Sequence, residues 1–304
     1  ALPAVLVSSG LALAQDATVP DDFATIQSAV LSAGDTDGNG TVDIFVRAGT
    51  YNEDVIVQRQ NIVLTGEAVA STTIVGSGAR DTVQASRANG FSISGFTVVS
   101  GGIFDSVEVN RSSGATVQGN ALTGGATGVS VDRSSNVTVA DNEVFGTTQE
   151  GIDLDRCRAV NVLSNNVHDN LQEGITVDAC SRVRVQSNTV TDNGGVGIRD
   201  RASTGDLFIR NTSLRNIDDG FRLEGTSGNI LFGNTSSGNI DNGLRMEGTS
   251  NSLITSNEFT DNFGFGVRRE DWLNDDFSRA AAGVQNPPGD NDLSGNAQGQ
   301  LRED

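Results

Sequence analysis

Seven glycines, Gly128, Gly151, Gly174, Gly197, Gly220, Gly243 and Gly266, recur with a constant period of 23, and each opens a short segment in which apolar and polar residues alternate. A fixed period of roughly 20 to 50 residues means that stacked units, and not one globular core, bury the apolar surface. The pairs Val129/Val131, Ile152/Leu154, Ile175/Val177, Phe221/Leu223 and Leu244/Met246 have the period of two of a half-buried strand. A second strand in each unit ends in Val139, Val162, Val185, Phe208, Leu231 and Ile254, again in step. Three residues further on lies an asparagine: Asn142, Asn165, Asn188, Asn211, Asn234 and Asn257. A further column, Asn170, Asn193, Asn216, Asn239 and Asn262, marks a second turn. Asparagine tolerates left-handed backbone and bonds turn backbone through its amide, so stacked copies form a ladder along the axis. No helix-period stripe runs through these units. The expected fold is all-β, a single-stranded parallel β-helix whose coils repeat at the strand spacing of roughly 4.7–4.9 Å.

The ends of the chain read differently. Residues 1–14 form an apolar run closing on Ala12-Leu13-Ala14, the pattern of the end of a secretory signal cleaved before Gln15, which implies a secreted or periplasmic protein. Pro20, Asp21 and Asp22 precede apolar residues at 23, 26 and 30, a helix with one apolar face, expected to cover the open end of the solenoid. The solenoid domain is expected over 15–273 and an irregular cap and tail over 274–304, with Trp272 covering the terminal core.

Composition narrows the partners. The 20 basic residues are all arginine against 39 acidic ones, a net charge of −19, which argues against nucleic acid and anionic membranes as partners. With no lysine, Schiff-base chemistry and lysine-based phosphate loops are excluded. After removal of the leader no segment is expected to enter a membrane.

Asp35, Asp37, Asn39, Thr41 and Asp43 place oxygens at alternate positions of a loop with Gly40 at its sixth position, the first three quarters of an EF-hand-like calcium site. Val46 stands where the closing bidentate glutamate belongs, so the alternative is a solvated acidic turn. Cys157 and Cys180 lie one period apart in the same column of neighbouring coils, close enough for a disulfide in an exported protein, the alternative being two stacked buried thiols. Tyr51 reads as structural and His168 as a solvated turn residue.

Two outward columns of the glycine-led strand carry most of the chemistry. One reads Ser130, Asp153, Thr176, Arg199, Arg222, Arg245, Arg268, and the next Asp132, Asp155, Asp178, Arg201, Glu224, Glu247, Glu270. Guanidinium groups one coil apart suit successive carboxylates of an acidic polysaccharide, with Glu224 and Glu247 at the edge of the groove. The competing reading is a salt-bridge lattice, in which the glutamates neutralise arginines two residues away.

Several segments resemble known families. Phe23-x-Thr25-Ile26-Gln27-x-Ala29, the turn Ala48-Gly49-Thr50-Tyr51-x-Glu53 and Leu64-x-Gly66 resemble the N-terminal part of pectin methylesterases and of right-handed parallel β-helix proteins of the pectate lyase-like superfamily. The regular coils resemble those of NosD-type proteins and alginate epimerases. In the irregular coils, the stretch from Phe91 to Phe96 is read as setting Gly95 at the ladder position. Asp218-Asp219-Gly220 resembles an element of polygalacturonases, which with Asp241 one coil on implies paired carboxylates for glycoside hydrolysis. Gly151 and Asp153 are similar to an element of alginate epimerases, whose tyrosine, proline and histidine are absent here. The resemblance therefore implies a carbohydrate-active protein acting on a uronate-rich polymer as lyase, epimerase or hydrolase, while the loop at Asp35 to Asp43 offers calcium as the one cofactor. The alternative is a non-catalytic glycan-binding or structural module.

Overall fold

The computed structural model describes residues 15–271, 276–277 and 291–303. The proposed leader at 1–14 and the capping role of Trp272 lie outside the described residues. Each coil contributes three short strands, as in Ile152–Asp155, Asn161–Leu163 and Asn166–His168. These stack on the same strands of the next coil, and every strand pair is parallel. The glycine-led strands form an eleven-stranded front sheet, the other two sheets having twelve and ten strands. This is the expected parallel β-helix. Pairing follows the sequence period where the repeat is regular, Ile152 facing Ile175, while Val107 faces Val129 and Val83 in the irregular coils.

The inward pattern holds coil after coil. Ile152 and Leu154 from the front sheet, Val162 from the second and Val167 from the third are all fully buried, so four aliphatic side chains fill one coil layer. The opening glycines are demanded by close approach: a Cβ on Gly151 would lie 2.3 Å from a Val167 methyl, and one on Gly220 1.9 Å from Ser236 Oγ. Both asparagine ladders form. Asn188 Oδ1 accepts from the backbone N and from Nδ2 of Asn165, both at 2.9 Å, and Asn193 Oδ1 likewise serves Asn170 at 3.2 and 3.0 Å.

Two expectations about these turns are corrected. The left-handed residue is the one before each asparagine: Asp141, Ser164, Ser187, Arg210 and Ser256 in the first ladder, Asp169, Asp192, Arg215 and Asp261 in the second. The asparagine amide stays in the interior because the residue ahead of it absorbs the turn. The ladder position of the earlier coil is held by Phe96, whose N donates to Asn120 Oδ1, and not by Gly95, since Phe96 follows Ile93 by the same three residues that separate Val139 from Asn142.

A helix, Ile26–Ser32, closes the N-terminal end, with Thr25 and Ser28 forming a capping box and Ile26, Ala29 and Val30 buried. Glu53 accepts from the N–H groups of Ile26 and Gln27 at 3.0 and 2.8 Å, tying the helix to the first full coil. At the other end the coil pattern resumes at 291–303, within the stretch read from the sequence as cap and tail. Asn291 and Asn296 extend the two ladders, and the strand Gly299–Glu303 joins the front sheet beside Phe265–Glu270.

Candidate functional site on the front sheet

Strand pairing makes each outward column a line along the axis. The first runs Gln84, Glu108, Ser130, Asp153, Thr176, Arg199, Arg222, Arg245, Arg268, Arg302. The turn just ahead of the strand adds Asp81, Asp105, Glu150, Glu173 and Asp219, as the backbone bonds linking Thr82 to Asp105 and Gly151 to Glu173 show. The front face is therefore acidic towards the N-terminal end and arginine-bearing towards the C-terminal end, a division the sequence reading missed. Asp105 and Glu108 escaped because their coils break the regular count, and Arg302 because the step to it from Arg268 is longer than one period. Aligning the inward valines Val83, Val107 and Val129 is the signal that would have exposed the first two.

At the arginine end the carboxylates close up on the guanidinium groups. Arg199 reaches Glu224 at 2.7 Å and Glu173 at 3.3 Å. Arg222 holds Asp218 and Asp219, the latter through Nε at 2.7 Å. Arg245 pairs with Glu247 at 3.1 Å, and Arg268 touches Glu270. These partners agree with the lattice reading of Arg199, Arg222, Arg245, Arg268, Glu224 and Glu247, although all four arginines keep part of their side chains at the surface.

Asp218, Asp219 and Asp241 do come together, with carboxylate oxygens all within 4.8 Å of one another. Their roles differ. Asp219 has no exposed surface, and its oxygens take Arg222 on one side and the N and Nδ2 of Asn242 on the other, at 3.0 and 2.7 Å. Burial pushes its pKa up to about 6. It is corrected here from an acid facing substrate to the anchor of Arg222 and of the turn; only Asp218 and Asp241 retain access.

Asp153 is different. It is half-buried on the outward face, and burial, reinforced by Glu150, Asp155, Asp105 and Asp178, raises its pKa to about 7. Asp105 is raised to about 6 by burial and by Asp81, and Glu150 is raised by burial and by Glu173. Asp153 and Asp105 thus keep a proton well above the ordinary carboxylate range, and Arg199 stands two strand spacings from Asp153, roughly 9–10 Å. Such a set can donate a proton to a leaving oxygen or return one to carbon, with a guanidinium in reach of a substrate anion.

The remaining candidates are placed as follows. In the acidic loop, Asp35 accepts from the N of Gly38 and Gly40, and Asp43 accepts from Asn39 Nδ2 and Thr41 Oγ1 at 2.9 and 2.8 Å. The carboxylates that approach one another within 4.8 Å are Asp35, Asp37 and Asp16, the last unforeseen. Of the five residues named from the sequence, Asp43 bonds Thr41 and Asn39, and Asp16 joins Asp35 and Asp37. Cys157 and Cys180 are buried free thiols, a correction of the disulfide. Stacked side chains in one column point the same way, so Cys180 Sγ accepts from the backbone N of Cys157 at 3.1 Å while the two thiols lie side by side. Tyr51 is structural, its hydroxyl donating to Arg47 O at 3.0 Å. His168 is a strand residue, stacked on Phe145 at 5.4 Å and bonded to Asp169 at 2.7 Å, and not a free turn residue.

Comparison with known proteins bears on this geometry. A family model described as "Right handed beta helix region" matches residues 62–214, half of the chain, and one described as "Periplasmic copper-binding protein (NosD)" matches 169–276. Pectinesterase 2 of Citrus sinensis is 38% identical over 69 residues, 23% of this chain and only 13% of that protein's length. Among solved structures, a double mutant of the periplasmic alginate epimerase AlgG aligns at TM-score 0.57 and 15% identity over 95% of this chain and 81% of its own. The enzymatically active domain of tailspike protein 2 of bacteriophage CBA120 aligns at TM-score 0.61 and 12% identity, over 83% and 44%. At such identities the likeness is one of fold.

Proposed function

This chain belongs to the right-handed β-helix family, and from that premise we propose that it is an exported protein that acts on a polysaccharide laid across its front sheet. The observation that carries the reading is Asp153: an outward carboxyl whose pKa stands at about 7, beside Glu150 and two strands from Arg199. The relatives bearing this fold include an alginate epimerase and a tailspike, which supports a glycan substrate. A uronate-rich polymer fits best. Its carboxylate would meet Arg199, while Asp153 gives or takes the proton in elimination, epimerisation or hydrolysis, with Asp218 and Asp241 further along the same groove.

The test is to incubate the protein with pectate, alginate and a neutral glucan and to assay unsaturated ends, reducing ends and uronate configuration. Asp153→Asn should remove product formation by at least about a hundredfold while leaving binding intact. If Asp153 acts in its protonated form, the alkaline limb of the pH profile falls near pH 7. Binding without any product would favour the second reading, a non-catalytic glycan-binding module, which the neutralised arginine lattice supports.

Calcium remains a proposal of the acidic loop, resting on the Asp16, Asp35 and Asp37 oxygens. A melting temperature equal in calcium and in chelator would remove it. Copper, carried in the printed name of the NosD model, lacks its soft donor set here: the chain has one histidine, two cysteines that are buried, and one methionine, Met246, sealed in the core.

A further inference from the structure

Seven large apolar side chains are exposed among the described residues, and four of them fall in one column: Leu171, Ile217, Ile240 and Phe263, at 68%, 61%, 52% and 60% exposure. Each directly follows an asparagine of the second ladder. The N–H of each donates at 3.0 Å to the carbonyl of the ladder position one coil earlier, Thr147, Asn193, Asn216 and Asn239. The column is therefore fixed by the same bonds that fix the coil, and it forms a straight ridge of roughly 19 Å from Leu171 to Phe263. None of these side chains serves the core. Single exposed apolar residues need no explanation, whereas an aligned set bordering a groove marks a contact surface.

Five residues after the ridge position comes the outward column of the front sheet: Leu171 leads to Thr176, Ile217 to Arg222, Ile240 to Arg245 and Phe263 to Arg268. The ridge therefore runs along the turn that leads into the front sheet, beside the outward column of arginines. It is interrupted once, in the coil of Arg199, where Gly194 stands at the ridge position. A Cβ there would lie 2.2 Å from the carbonyl oxygen of Leu171, so the ridge drops in the coil of Arg199, two strands from Asp153.

Resting on the proposed function, we propose that this ridge is the apolar wall against which a polysaccharide lies, extended parallel to the solenoid axis with one sugar per coil and the C–H faces of its rings on Leu171, Ile217, Ile240 and Phe263. The coil rise is comparable to the length of a sugar unit, and sugar hydroxyls can donate to Asp241 and Gln172 in the same turns. A second copy of the chain fits poorly. Two ridges related by a two-fold axis would set Asp218 and Asp241 against the same acids of the other copy, on a chain of net charge −19. The gap at Gly194 leaves room for a sugar substituent beside Arg199.

The experiment compares the wild type with the triple variant Ile217→Ser, Ile240→Ser, Phe263→Ser, using pectate, alginate and a neutral glucan in affinity electrophoresis, with light scattering on both proteins. The replaced side chains are exposed, so the melting temperature should be unchanged. Polymer binding should weaken by about tenfold or more, and binding of a disaccharide by much less. If the wild type binds polymer and the triple variant binds it equally, the ridge is overturned and the proposed function stands. If the wild type binds no polymer, both fall. Self-association of the wild type that the triple variant loses would assign the ridge to a second copy and overturn the proposal.

Discussion

An interior asparagine in this solenoid does the work of two groups, since its oxygen serves a backbone N–H and an amide of the coil before it while its own amide is held further along. Asn188→Ala would leave the N and Nδ2 of Asn165 without their acceptor in a site that water does not reach. Each orphaned buried donor costs about 1–3 kcal/mol, so a loss of about 2–5 kcal/mol is expected from a denaturant midpoint measured at constant m-value. The residue ahead of the asparagine responds in the opposite direction. Arg210 sits at φ 53° although it is not glycine, and its guanidinium is not in any of the ion pairs described above. Arg210→Gly should raise stability by up to about 1 kcal/mol, because a left-handed non-glycine residue is strained by about that amount. The asparagine columns were plain in the sequence, but which residue of the turn is left-handed was not. Composition favoured asparagine for that conformation, and only the backbone shows arginine, serine and aspartate occupying it. Asp219 was misread for a related reason: adjacent aspartates look alike in a sequence, and the turn buries one and leaves the other partly exposed.

At the scale of the element, the coil is the unit that can be removed. Excising the segment 175–197 joins Gly174 to Ile198 and keeps every column in register, because the piece removed is one whole period. The shortened chain should fold and show strand-rich circular dichroism with a cooperative melt. Excising 175–196 instead leaves one extra residue ahead of Ile198, which the turn must bulge out as the coil between Val83 and Val107 does, so the product should fold with a lower melting temperature than the whole-period deletion. The whole-period deletion also sets Arg199 directly beside Asp153. An adjacent guanidinium favours the carboxylate, so the alkaline limb assigned to Asp153 should move below pH 7. Regularity explains what was legible. Seven glycines in step disclosed the regular coils, both ladders and the outward arginines. Where the count changes, at Val83 to Val107 or from Asn257 to Asn291, a reading by fixed period lost the column, and with it Asp105, Glu108 and Arg302.

The whole molecule carries its acids unevenly, and some of them lie inside. Asp200 takes the inward position held by Val177 in the coil before and Leu223 in the coil after, and Asp206 follows Val183 in another interior column. Both are fully buried, joined through Asn229, whose Nδ2 donates to Asp200 at 2.6 Å and whose Oδ1 accepts from Asp206 N at 2.9 Å. Burial raises their pKa values to about 8 and about 7, Asp206 adding to the shift of Asp200. Since both folded values lie above the ordinary carboxylate value of 3.8, the folded chain binds more protons than the unfolded one over the interval between. Stability is therefore fully present below about pH 4, declines as pH rises from there through 7 and 8, and is flat with respect to these two groups above that. Asp153, Asp105 and Asp219, at about 7, 6 and 6, push in the same direction. A tenfold change in proton affinity is worth about 1.4 kcal/mol, so the interior pair alone should cost on the order of 5–10 kcal/mol between pH 4 and pH 9. Urea midpoints taken across that range should fall with pH, and the double substitution Asp200→Asn, Asp206→Asn, which keeps an acceptor for Asn229, should flatten most of the slope. A midpoint that rises with pH in the wild type, or a slope untouched by the double substitution, would mean that the two carboxyls are ionised in the interior and held there by something other than protons.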